Sequence, residues 1–235
     1  MDKKPIIQAI EKVKEISPKR NFKQSFDFII NLKGINLKKP EEKLELFITL
    51  PFSKGKKVKA CALIDQDLNP QAKGLFDRVI LKEEFTTFKK KEIKKIAMEY
   101  DFFIAQANLM AQIATSFGKV LGPKQKMPNP KAGCVVPQTA TLKPVYERLQ
   151  KLVKVATKNE PAIKVMVGHE EMKEEEIAEN ILAVYNAVIH ALPQEKANIK
   201  LMLLKYSMGP VVEITEKGPV IHQKVTVEKK PKIKK

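Results

Sequence analysis

The hydrophobic positions of this chain change their period three times. Residues 5–16 carry Ile6, Ala9, Ile10, Val13 and Ile16 at helical spacing, with Pro5 suited to a first turn and Pro18 ending the run. From Ser25 the period drops to two. Phe26, Phe28, Ile30 and Leu32 face one way and Ser25, Asp27, Ile29, Asn31 and Lys33 the other, which predicts a strand with one core face and one mixed, exposed face. Leu44, Leu46, Ile48 and Leu50 alternate again, and these two strands are expected to pair antiparallel.

The pattern then becomes continuous. Residues 58–64 form an apolar run broken only by Lys59, and 78–81 and 102–105 are two shorter ones, as suits strands buried on both faces. Helical stretches at 89–100, 109–117 and 142–152 lie between and after them, so a small parallel sheet with helices on its faces is expected, followed by a short strand at 153–156. Residues 118–133, rich in Gly, Pro and Lys, read as a loop without regular structure. No Gly-x4-Gly-Lys-Ser/Thr pattern occurs there, and its prolines remove the N–H donors that a phosphate cradle uses.

Alternation returns in Ile163, Val165 and Val167, and Glu174, Glu175 and Glu176 open a further helix whose N-terminal dipole they complement. Residues 200–214 are a long extended run interrupted by Ser207-Met208-Gly209-Pro210. Pro210 lacks an N–H and Gly209 lacks a Cβ, so the interruption reads as a break in the sheet ladder where another backbone can come close. An ordinary edge-strand bulge is the plainer reading of the same residues.

Alternating, parallel and alternating patterns in succession imply an α+β domain built from both ends of the chain, residues 1–57 and 158–214, with a three-layer α/β domain inserted at 58–157. Residues 215–235 form a basic tail, expected to lack structure until bound.

Charge narrows the function. The 235 residues hold 44 Lys and Arg against 27 Asp and Glu, a formal charge of +17, which favours a polyanionic partner. Cys61 and Cys134 have no second ligand at metal spacing and read as packing residues in a reducing compartment. No signal peptide and no apolar run of membrane-spanning length is apparent, so a cytoplasmic protein without a membrane partner is expected. His169, His190 and His222 are scattered, with no nucleophile pattern, paired carboxylates or metal motif. A nucleotide-using enzyme built on the inserted domain is the competing class, and that fold alone gives it little weight. Neither catalysis nor a cofactor is expected.

Arg20-Asn21-Phe22-x-Gln24-Ser25-Phe26, Leu50-Pro51, Asp101-Phe102-Phe103-Ile104-Ala105-Gln106-Ala107, Leu121-Gly122-Pro123-Lys124-x-Lys126-Met127-Pro128 and Met208-Gly209-Pro210 together resemble the large-subunit ribosomal protein L-one family in its archaeal type. The resemblance implies an α/β and α+β fold, with a split terminal domain that holds RNA and an inserted Rossmann-like domain. It implies a structural constituent of the large ribosomal subunit that binds large-subunit rRNA in the mobile stalk, assists release of deacylated tRNA from the exit site, and represses translation of its own messenger RNA. Residue by residue, it places RNA contacts at Phe22, Asp27, Asn31, Ser207, Met208 and Gly209. Gln125 stands where the family's loop has glycine. If Gly209 serves RNA approach alone, replacing it should spare thermal stability.

Overall fold

Four side chains of one strand organise the larger sheet. In β1 (Ser25–Leu32), Phe26, Phe28, Ile30 and Leu32 are buried while the alternate residues stay half-buried on the other face. The computed structural model describes residues 2–37, 39, 42–157, 159–215 and 218–222. It divides into two compact units, Met1–Leu46 with Lys154–Lys235 and Phe47–Val153.

In the first unit β1 lies between β8 (Ala162–His169) and β9 (Ile199–Tyr206), antiparallel to both. The sheet continues through β10 (Val211–Thr215) to β11 (Gly218–His222), in the order β11-β10-β9-β1-β8. Helices α1 (Lys3–Ile16) and α6 (Glu174–Ala191) pack on its core face. Their apolar stripes, Ile6, Ala9, Ile10 and Val13 from α1 and Ile177, Ile181, Val184 and Val188 from α6, are fully buried. No side chain caps the α6 N-terminus, and its three glutamates offset that through the helix dipole.

The second unit holds the parallel sheet that the apolar runs imply. β3 (Ala60–Ile64) is buried at every position and runs parallel to β4 (Arg78–Leu81) and β5 (Phe102–Gln106). A two-residue strand, β6 (Val135–Val136), completes the order β4-β3-β5-β6. One face buries its side chains with α3 (Lys90–Glu99) and α4 (Met110–Leu121), the other with α2 (Asn69–Ala72) and α5 (Leu142–Lys151). Burial pushes the Cys61 thiol up to about 12 and that of Cys134 up to about 11, so both stay protonated and act as small apolar fillers.

Several expectations are corrected. β2 (Glu45–Thr49) does not pair with β1. It pairs with β7 (Leu152–Ala156), because alternation identifies a strand without naming its partner. The run at 200–214 is a hairpin and not one interrupted strand: β10 turns back along β9, with Val211 opposite Lys205 and Glu213 opposite Leu203. β9 is therefore interior, which removes the edge-strand bulge. Register shifts do occur elsewhere: in β8, where Phe26 faces Gly168 and Asp27 faces Met166 and Val167 is the extra residue, and at the start of β9, where Asn31 faces Leu201 and Leu32 faces Ile199 and Lys200 is the extra residue. The buried Asn180 of α6 donates to the Val167 carbonyl at 2.8 Å and satisfies it.

α4 continues through Gly118 to Leu121, past the helix end expected at Phe117, since packing of Val120 and Leu121 outweighs one glycine. β6 is too short to show a period. The tail is not wholly without structure either. β11 pairs antiparallel with β10; Gly218 takes φ +128°, and Thr215 donates its hydroxyl to the Gly218 carbonyl at 2.6 Å. The remaining tail, 223–235, lies outside the described residues. Gln125 adopts φ +55°, so the loop keeps a left-handed turn without glycine.

Candidate nucleic-acid interface

The turn 207–210 joins β9 to β10, and its first residue is tied to β1 rather than to its own hairpin. The Ser207 backbone N–H donates to the Ser25 carbonyl at 3.0 Å, and its hydroxyl donates to the same oxygen at 3.3 Å. The Lys205 ammonium donates to the Ser207 carbonyl at 3.3 Å. Gly209 closes the turn by donating to the Tyr206 carbonyl at 3.0 Å. Two segments far apart in sequence thus meet at Ser25, and both carry exposed large apolar residues. Phe22 is 52% exposed in the bend before β1, and Met208 is 63% exposed at the turn. Burying such side chains needs no rearrangement of the core, so they are available to a partner.

Asp27 stands beside this anchor. It pairs in register with Lys205 on β9, and both face away from α1 and α6. Burial raises its carboxyl above the usual 3.8, and the Lys205 charge and the neighbouring Ser207 side chain offset this only in part. The folded state therefore keeps the Asp27 proton to higher pH than the unfolded chain does. Its contribution favours folding below the unfolded value and is lost as pH rises from 3.8 through the raised value. At pH 7 the half-buried carboxylate is a standing penalty, reduced by solvent screening. Asp27→Asn is expected to raise the melting temperature at pH 7 by about 1–4 °C and to leave it unchanged near pH 3. Melting curves at the two pH values check this, and a less stable variant at pH 7 would mean that the Lys205 attraction outweighs burial.

Asn31 lies on the same face but apart from the cluster, four residues or about 13 Å along the strand, opposite Leu201 and Ala162. Of the six expected contacts, the structure joins Asp27, Ser207, Met208 and Gly209, brings Phe22 in through the adjacent bend, and leaves Asn31 at the other end of β1. Lys205 was not among them, although its place on the Leu201–Leu203 side of the strand was a signal for it.

Gly209 is not held open for a partner alone. A Cβ there would stand 2.7 Å from Ser17 Oγ and 3.0 Å from Tyr206 Cβ. This close contact counts against the expectation that its replacement spares stability, because the turn packs against the end of α1. Among the described residues no group of three His, Cys, Asp or Glu could hold a metal, and no helix is long and apolar enough to cross a membrane.

The sequence matches the ribosomal protein L1p/L10e family over residues 13–210, a span that includes all six expected contacts. It is 41% identical over 216 residues to the large ribosomal subunit protein uL1 of Methanocaldococcus jannaschii, an alignment covering 91% of this chain and 96% of that protein. It is 41% identical over 212 residues to uL1 of Methanothermobacter thermautotrophicus, covering 89% and 98%. Against uL1 of Pyrococcus abyssi it is 40% identical over 216 residues, covering 91% and 96%.

Proposed function

Because the chain belongs to the ribosomal protein L1p/L10e family, of archaeal type, and is a structural, non-enzymatic protein of the large ribosomal subunit in the cytoplasm, we propose that it binds large-subunit rRNA through the discontinuous unit. Phe22, Asp27, Asn31, Ser207, Met208 and Gly209 form the contact surface in this reading. The observation that carries it is the exposed Met208 on a turn anchored by two bonds to the Ser25 carbonyl, beside the half-buried pair of Asp27 and Lys205.

A turn fixed in this way presents its backbone and side chains without first having to be ordered, which lowers the entropic cost of binding. Met208 and Phe22 offer apolar faces to bases or riboses, and the Ser207 hydroxyl and Asp27 offer hydrogen bonds to 2′-hydroxyl groups. Recognition of this kind reads the shape of folded RNA more than its sequence. Any RNA with the same fold would be accepted, so repression of the protein's own messenger RNA belongs to the same proposal. Placement in the mobile stalk and assistance to exit-site tRNA release are part of the same proposal.

The test is Ser207→Ala, which deletes one hydroxyl and leaves the backbone bond to Ser25 in place. It is expected to weaken binding to cognate rRNA by about 1–3 kcal/mol, as for a buried RNA group left unpaired. Footprinting should lose protection at one discrete place. Undiminished affinity with an unchanged footprint would remove Ser207 from the surface.

A further inference from the structure

We propose that the solvent face of α3, in the inserted unit, is a second RNA-contact surface that holds a duplex backbone by charge without reading sequence. This rests on the reading of the protein as RNA-binding and assigns it a separate place. Lys89, Lys90, Lys91, Lys94 and Lys95 are all exposed, and among the described residues none of them forms an ion pair. Of the two acids of α3, Glu92 is turned to the helix start, where it accepts from the Lys89 N–H at 2.8 Å, and Glu99 is the last residue of the helix, exposed beside the edge of this face one turn after Lys95.

At about 100° per residue, Lys91, Lys94, Lys95 and Met98 fall within an arc of about 100°, opposite the buried Ile93, Ile96 and Ala97. Met98 is 73% exposed in the middle of that arc. An ordinary solvated lysine face has no use for a large apolar side chain at its centre, whereas a nucleic-acid groove offers it sugar carbons to cover.

The neighbouring helix supports the assignment. α4 packs beside α3 over a shared core and contains no acid, and Ala111, Gln112, Ala114, Thr115 and Lys119 make up much of its exposed side. A basic ridge beside a low helix whose only charge is the cationic Lys119 lets a phosphate backbone approach without meeting a like charge or a bulky side chain. Glu83 and Glu84 sit in the turn at 82–86, which packs against α4, and Glu83 accepts from Gln66 Nε2 at 2.6 Å. The partner that this chemistry fits is duplex RNA, recognised by its charge and groove.

The experiment compares three forms of the full chain on a short RNA duplex of arbitrary sequence: the unaltered protein, Lys91→Gln with Lys94→Gln and Lys95→Gln, and a control with Lys73→Gln, Lys131→Gln and Lys143→Gln. The control removes three exposed lysines of the same unit outside α3 and α4. The α3 variant is expected to reduce the slope of log affinity against log salt by roughly two to three and to weaken duplex binding about tenfold at low salt, and the control to reduce the slope by less than about one. Equal changes in the two variants, or none in the α3 variant, would overturn the proposal. A variant that lost polyglutamate binding yet kept duplex affinity would assign the face to an acidic protein and overturn it as well. Ser207→Ala on the same duplex should leave the slope untouched, so a failure of the turn reading on cognate rRNA is distinguishable from a failure here.

Discussion

Gly209→Val is expected to lower the melting temperature by roughly 5–10 °C and to weaken binding to cognate rRNA more than a hundredfold in the protein that remains folded. The first effect is overpacking, at about 1–3 kcal/mol or more when atoms must enter filled space, with each kcal/mol worth a few degrees in a protein of this size. The first added carbon already meets Ser17 Oγ at 2.7 Å and Tyr206 Cβ at 3.0 Å, and valine adds two more. Ser17 Oγ is buried and has no hydrogen-bond partner among the described residues, so deleting it loses none of the bonds they form. Ser17→Ala should therefore be neutral or slightly stabilising and should recover part of the stability lost in Gly209→Ala. The second effect is displacement of the turn, which carries Ser207 off the Ser25 carbonyl. Melting temperature and rRNA affinity measured on the same variants separate the two. A Gly209→Val protein that melts normally would show that Ser17 swings aside, and one that also binds at full strength would remove the turn from the RNA surface.

Phe22→Ala combined with Met208→Ala is expected to act in the opposite way, leaving stability within about a degree and reducing rRNA affinity by two orders of magnitude or more. Exposed side chains contribute little to folding when truncated. In contact with RNA, a stacked or covering side chain is worth about 1–3 kcal/mol. Phe22 and Met208 are large, mostly exposed, and attached to the two segments that meet at Ser25. Equilibrium binding beside thermal melting tests this. A double variant that binds as well as the unaltered protein would leave those faces without a partner.

The contrast between these variants shows what the sequence could and could not disclose. Period-two alternation placed Phe26, Phe28, Ile30 and Leu32 inside and Asp27 and Asn31 outside, and the structure agrees at each position. The continuous apolar runs correctly implied the parallel sheet, because a strand covered on both faces has no polar side to show. Strand partners were not legible. Nothing in residues 44–50 distinguishes pairing with β1 from pairing with β7, and the residues 207–210 look alike as a break and as a reversal. The close approach of Gly209 to Ser17 joins positions 192 residues apart in sequence. β11 was hidden for a related reason. Val220 and Ile221 sit in lysine-rich surroundings, and what makes them a strand is the edge that β10 offers.

The placement of β1 between β8 and β9 also sets a timetable. Residues 25–32 leave the translating ribosome early, but neither neighbour exists until residues 162–169 and 199–206 have been made. Joining strands over so long a separation is slow, whereas the unit spanning 47–153 needs no chain outside itself for its parallel sheet. The inserted unit can complete its sheet first, while the amino-terminal strand waits with its apolar face uncovered. The Ser25–Ser207 anchor cannot form until residue 207 has been made. An unfinished or truncated chain thus lacks the surface proposed to hold rRNA, and only a nearly complete protein can compete for its place in a growing subunit.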